Sequence, residues 1–467
     1  MKKISTLFVA ILLIMNGYRT LSQTFPVDTV LYNGDKAKLV NLVMMGDGYL
    51  PSEQSKFLSD AIVVKDYFFS QPVFSNYINY FNAFAIEVPS IESGTNHPGT
   101  SPDPDCPMVP ISTANNYFGS SFDIAGIHRL VCIEHEDSAS NVLAANFPDF
   151  DIILIIVNSP YYGGSGGYYT VTTTDASTGE VALHEIGHSF GGLADEYWSG
   201  YTREAPNETQ NSDPSTIRWK NWLYDNGIGI YPFAENNSWY RPHQGCKMRY
   251  LNVPFCSVCS ETLIENIHSL VNPVYSYFPS DSATVLADTA LLDFGLDLLK
   301  PIPNTLKTTW TTDGTLSPIN TDTFQIDPEM LANGSHQLVA TVIDTTILTR
   351  SDNHWISHIY SISWDINKSV TGIDIHSQAN CEDILIYPNP FADKLNIAYH
   401  IDNETKVEIE IMDPNGKVLK KIIHKKQSAG NYEISFDAAE IGHASGMYFI
   451  KLTFDNYLII RPIIHVE

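Results

Sequence analysis

Positive charge is what this sequence has least of. Only 27 Lys and Arg stand against 53 Asp and Glu, a formal net charge of −26 over 467 residues. The acidic residues are spread along the chain rather than gathered in a tail, which argues against nucleic acid or an anionic membrane as a partner. Long apolar runs are also missing. No segment approaches the roughly eighteen uninterrupted apolar residues that a spanning helix needs, so no membrane span is expected. Cysteine is sparse, with six residues: Cys106, Cys132, Cys246, Cys256, Cys259 and Cys381.

The start of the chain suggests where those cysteines end up. Met1-Lys2-Lys3 supplies a positive region, Leu7 to Met15 a short apolar core, and Thr20-Leu21-Ser22 a small-residue exit. This pattern predicts a signal peptide over 1–22, with the mature chain beginning near Gln23. No cysteine sits at the exit, so no lipid anchor is expected there. Export favours disulfides, although six cysteines allow about fifteen pairings. Cys246, Cys256 and Cys259 cluster in sequence, where a bridge would brace one segment. A zinc held by these three is the alternative, and it lacks a fourth sulfur, though His243 could serve as the fourth ligand.

Chemistry is concentrated in His184-Glu185-Ile186-Gly187-His188, followed by Gly191-Gly192-Leu193-Ala194-Asp195-Glu196. Two histidines four apart on a helix share a face, so both imidazoles reach one cation. A catalytic zinc takes three protein ligands and leaves a position for water, whose proton Glu185 would accept. Val181, Ala182, Leu183 and Ile186 fit a helix, and Ser177-Thr178-Gly179-Glu180 reads as a capping box at its start. Were the helix to run on, Asp195 would lie roughly 10 Å beyond His188 along the axis. A zinc–oxygen bond is about 2 Å, so a straight helix cannot close the site. The glycine pair permits a left-handed turn that doubles the chain back. Asp195 is the expected third ligand. Glu196 is the alternative, or else an acceptor for the free N–H of a ligand histidine.

The stretch from His184 to Tyr197 resembles the metzincin pattern HExxHxxGxxH/D with one extra residue before the glycine. The resemblance implies a methionine turn under the metal, and Cys246-Lys247-Met248-Arg249-Tyr250 fits, with Met248 as its methionine. Val40 to about Ser269 is similar to the IgA-peptidase-like family of secreted bacterial zinc peptidases. The matching pieces are Val43-Met44-Met45-Gly46-Asp47-Gly48-Tyr49, Val88-Pro89-Ser90-Ile91-Glu92-Ser93-Gly94, the HExxH region with Ala194-Asp195-Glu196-Tyr197, and Met248-Arg249-Tyr250 with Phe255-Cys256. The family implies peptide-bond hydrolysis, not a particular substrate. The Met248-x-Tyr250 spacing, as in the astacin branch, implies that Tyr250 stabilises the oxyanion, with Arg249 as the alternative.

Around these motifs short apolar strands alternate with helical patterns. Lys38–Met45, Tyr80–Val88 and Asp151–Val157 read as strands, and Ser52–Phe69 and Glu261–Leu270 as helices. This predicts an α/β metzincin-like catalytic domain over 23–272 with a partly parallel sheet. Tyr168 to Thr174, after a glycine-rich stretch, reads as a short edge strand; the metzincin resemblance implies that it pairs with substrate backbone, and the alternative is a flexible glycine loop that binds nothing. Trp198 to Gly245, rich in aromatics, would either wall the cleft or pack on itself.

Beyond 272 the texture turns all-β. An immunoglobulin-like sandwich is expected over 273–370, a linker over 371–383 and a second sandwich over 384–467. His336 in the first sandwich reads as structural. In the second, Val407, Ile409 and Ile411 alternate with Glu408 and Glu410 before an Asn415-Gly416 turn. Tyr387-Pro388-Asn389-Pro390-Phe391, Asn415-Gly416-Lys417-Val418 and Gly446 to Leu452 resemble the C-terminal sorting domain of the type IX secretion system. That resemblance implies export across the outer membrane of Bacteroidetes, with release or surface attachment and the type IX machinery as partner.

Two functional classes follow. One is a secreted zinc endopeptidase acting on protein or peptide substrates, with His184, His188 and Asp195 on the metal and Glu185 as base. The other is a surface adhesin or glycan-binding protein whose metal site is degenerate or structural.

Overall fold

The computed structural model describes residues 23–103, 109–280, 285–287, 291–317, 319–368, 384–414, 416–441, 445–455 and 457–466. The expected signal peptide, the linker over 371–383, Cys106 and Cys381 lie outside these. The described chain is mostly β, with several sheets and few helices.

The N-terminal part is built on one six-stranded sheet. Its strands are β1 (Val27–Leu31), β2 (Val40–Asp47), β3 (Phe81–Ile86), β4 (Ile152–Val157), β5 (Gly164–Ser165) and β6 (Thr170–Thr173), in spatial order β1-β3-β2-β4-β6-β5. The inner four run parallel, and β1 and β5 pair antiparallel at the two edges. Every residue of β2 and β4 is buried. That explains the unbroken apolar sequence of β4 and why β2 is apolar but for Asn41 and Asp47, because a parallel sheet is covered on both faces. Alternation sorts the side chains. Leu42, Met44, Leu154 and Ile156 enter one core with helices α1 (Gln54–Ser70), α3 (Thr178–Ser189) and α4 (Ser257–Leu270). Val43, Met45, Ile153 and Ile155 face the other core, with helix α2 (Glu136–Asn146).

Most boundaries read from sequence fall within a few residues. α4 begins at Ser257 rather than Glu261, and α2 was not anticipated. Its apolar stripe is only Ala139, Val142 and Leu143, among polar and acidic neighbours. The strand expected over Tyr168–Thr174 is the shorter β6, and the two-residue β5 takes the edge beyond it. Trp198–Gly245 divides between core and surface. Trp219, Trp222 and Phe233 are buried, while Tyr201 is 71% exposed.

Two β-rich regions follow. In one, a five-stranded sheet faces a three-stranded sheet across a core in which Trp310 stacks on Phe324 and on Trp364. His336 pairs there with Asp313. In the other, the strand Thr405–Met412 buries Val407, Ile409 and Ile411 and pairs with Val418–Gln427. Gly416, in the left-handed region at φ 78, sits in the connecting turn. A buried polar junction ties the first of these regions to α4. His268 Nε2 lies 2.9 Å from Asp344 Oδ2, which also accepts from the Tyr77 hydroxyl at 2.8 Å.

Candidate metal centre and active site

α3 delivers both histidines of the HExxH segment. It packs tightly enough on α1 that a Cβ at Gly179 would stand 2.4 Å from the Tyr67 ring. The expected capping box does not form, since Ser177 makes no side-chain cap. Glu180 is instead buried against Lys247, itself 1% exposed, and also accepts from the Asn252 amide. The acid three residues after Ser177 thus anchors the helix to the segment around Met248. An apolar-flanked Glu and a distant Lys carry no local sequence signature of that pairing.

The helix ends as its glycines predict. Gly192 takes φ 61, its amide donates to His188 O at 3.0 Å, and the Leu193 amide donates to Gly187 O at 3.1 Å. The chain reverses and brings Asp195 Oδ1 to 3.2 Å from His184 Nε2 and 3.3 Å from His188 Nε2. Each imidazole is held from behind. His184 Nδ1 donates to Lys247 O at 3.0 Å and His188 Nδ1 to Leu193 O at 2.8 Å, which leaves both Nε2 atoms free to bind. Asp195 Oδ1 is buried and receives no well-directed hydrogen bond from either ring. The three donors therefore point at a shared space rather than at one another.

Their separations fit a cation. Bonds of about 2.0–2.1 Å at tetrahedral angles place such donors about 3.3–3.4 Å apart. The local field agrees with this. Burial opposes imidazolium, yet Asp195 and Glu185 outweigh it and raise the pKa of His184 and His188. Burial likewise opposes ionisation of Asp195, but the two imidazoles hold its carboxyl below the usual range. Glu185 is raised, chiefly by burial, with the imidazoles pulling the other way.

Met248 lies beneath the site, fully buried, its sulfur where a Cβ on Gly187 would approach to 2.6 Å. The Arg249 and Tyr250 amides both donate to Cys246 O at 2.9 Å, which forms the turn. Tyr250 itself is 51% exposed, with Arg249 stacked on its ring at 4.8 Å. Tyr197, by contrast, stacks on His184 at 6.4 Å. Burial and the charges of Asp195 and Glu185 raise its hydroxyl pKa. Sequence reasoning missed Tyr197, although it closes the Ala194-Asp195-Glu196-Tyr197 motif.

The glycine-rich stretch has a use that the sequence left open. A Cβ at Gly166 would lie 2.6 Å from Glu185 Oε2 and 3.0 Å from the His188 ring, so only glycine lets this loop approach. Gly166, Gly167 and Tyr168 line a cavity of about 560 Å³ together with His188, Asp195, Tyr201, Arg203 and Glu208.

Glu196 turns away. Fully buried, its Oε1 accepts from Asn207 at 3.1 Å and from the Cys259 thiol at 3.3 Å. The role foreseen for it, receiving a histidine N–H, falls to backbone carbonyls instead. The described cysteines, Cys132, Cys246, Cys256 and Cys259, are free thiols, so the expected bracing bridge is not formed.

Residues 29–237 match the family model described as IgA Peptidase M64, and residues 385–466 match the secretion system C-terminal sorting domain. Both resemblances read from the sequence are thereby shown. The first supports a peptidase. The second supports secretion or attachment at the cell surface. Among the described residues no helix is long and apolar enough to cross a membrane. No curated protein matches the chain. Among solved structures it is similar to dimeric latent PorU from Porphyromonas gingivalis, at 16% identity and TM-score 0.17, over 40% of this chain and 19% of that one. It is also similar to SGBP-B of the Bacteroides ovatus mixed-linkage glucan utilization locus, at 12% identity and TM-score 0.16, over 39% of this chain and 43% of that one. The chain thus spans less than half of either protein.

Proposed function

From its match to IgA Peptidase M64, we propose that this chain is a secreted zinc-dependent endopeptidase with a metzincin-like catalytic domain over 23–272. The 273–370 sandwich and the 384–467 sorting domain follow it, and the type IX machinery is its export partner. The observation that carries the reading is the convergence of His184 Nε2, His188 Nε2 and Asp195 Oδ1, each within 3.3 Å of a neighbour and bordered by an open cleft.

These three residues would hold the metal. A bound zinc supplies Lewis-acid polarisation of the scissile carbonyl and acidifies water to a pKa of about 7. Glu185 accepts the proton of the attacking water and returns it to the leaving amine nitrogen. The carbonyls of Lys247 and Leu193 fix the imidazoles so that Nε2 faces the cleft. Gly166 leaves room for substrate backbone beside Glu185. Tyr250, or Tyr197 standing closer to His184, donates a hydrogen bond to the developing oxyanion.

The test is cleavage of a mixed protein digest by the purified chain, abolished by a chelator and restored by zinc. Tight metal binding with no hydrolysis of any peptide would return the adhesin reading.

A further inference from the structure

Directly behind the cleft lies a second group of donors. Glu196, Cys246, Cys256 and Cys259 are all buried, with one donor atom from each lying within 4.8 Å of the others. Cys246 Sγ stands 3.6 Å from Cys259 Sγ, and Cys259 Sγ stands 3.3 Å from Glu196 Oε1. Zinc bonds of about 2.3 Å to sulfur and 2.0 Å to oxygen at tetrahedral angles predict about 3.8 and 3.5 Å. We propose that these four residues form a closed zinc site, separate from the cleft.

Two features point to a ligand rather than to a packed core. Glu196 Oε2 is buried with no hydrogen-bond partner, although the side chain is fully enclosed. An orphaned carboxylate oxygen inside a core is costly unless a cation satisfies it. The second feature is charge compensation. The Cys256 amide donates to Cys246 Sγ at 3.3 Å, and Cys256 stands at the N-terminal boundary of the 14-residue α4, without a side-chain cap bond. Both favour thiolate there. The fourth donor is not His243, which instead accepts from the Gly245 amide at 3.0 Å.

Such a zinc would join three segments: the chain after α3, the methionine turn and α4. The Glu196 amide already donates to Met248 O at 2.7 Å, so the two sites share a wall. A disulfide is the rival. Bonding would bring two sulfurs to about 2.05 Å, where Cys246 Sγ and Cys259 Sγ stand 3.6 Å apart, and would leave Glu196 Oε2 without a partner.

The full chain, purified under mild reduction and loaded with cobalt(II), tests this. The wild type and a His184→Ala/His188→Ala variant should both show the thiolate-to-cobalt charge-transfer band in the near ultraviolet, which imidazole and carboxylate ligands do not give. The histidine variant should still hold about one zinc per chain with four protein ligands and no open position. Cys259→Ser should lose the band, and the milder Glu196→Gln should keep it while releasing metal faster to a chelator. Absence of the band in the wild type would overturn the proposal. So would a disulfide between any two of Cys246, Cys256 and Cys259 in an unreduced peptide map of protein isolated from the periplasm or medium.

Discussion

Asp195 and Glu196 are neighbours in sequence with opposite fates. Asp195 is part-exposed and converges with two imidazoles at the edge of a cavity. Glu196 is fully buried among three thiols. Three donors facing a cleft leave a position for water and substrate, whereas four enclosed donors leave none. On the proposed function, two carboxylates of nearly equal chemistry would be divided between reaction and architecture by a one-residue change of direction. The turn at Gly192 sets that direction, and the Glu196 amide bonded to Met248 O fixes it.

Exchanging the two acids should break the comparison most clearly. Asp195→Ala removes a donor of the cleft metal and should abolish both its retention and peptide hydrolysis. Glu196→Ala should leave cleft metal within about 10–100-fold of wild-type affinity, the cost typical of a supporting group. Metal titration of both variants alongside a cleavage assay decides it, and the reverse order would exchange their roles.

Asp344→Asn should have the next largest effect, on stability rather than chemistry. Burial opposes the Asp344 charge, but His268, Thr305 and Tyr77 outweigh it and hold its pKa at about 2. A carboxylate depressed in the fold contributes stability above its unfolded value of 3.8, and that contribution is lost as pH falls towards 2. Breaking this buried pair should cost roughly 3 kcal/mol at neutral pH in a denaturant titration.

Glu208 sharpens the contrast within the cleft. Burial, working against Arg203, pushes its pKa up to about 7. Below that pH it is neutral, and above it the cleft gains a negative charge. KM for peptides with acidic side chains should therefore rise a few-fold across neutrality in the wild type and stay level in Glu208→Gln. The smallest effect expected is from deleting 384–467, which should leave kcat/KM unchanged while the protein is retained in the periplasm of a type IX host. Fractionation and assay of the deleted protein measure the two together.

Much of the cleft was legible because its signals are local. His184, Glu185 and His188 lie within one helical turn, and Gly191-Gly192 marks where the helix must stop. Val407, Ile409 and Ile411 likewise announce a strand by alternation alone. What stayed hidden depends on partners distant in sequence. Glu180 finds Lys247, Glu196 finds Cys246 and Cys259, and Gly166 finds Glu185, all through the tertiary fold. Ser177-x-x-Glu180 misled for the same reason, since a buried ion pair outcompeted the helix cap. α2 escaped because a three-residue apolar stripe in a polar segment is weak periodicity.

The central claim is that Glu185 performs proton transfer at a metal held by other residues. Zinc content and peptide cleavage, measured on the same preparations of wild type and Glu185→Gln, test it directly. The amide cannot accept a proton but fills the same space beside Gly166 and His188. Equal zinc with hydrolysis reduced about 10²–10⁴-fold is the predicted result. Equal zinc with wild-type cleavage would contradict the account.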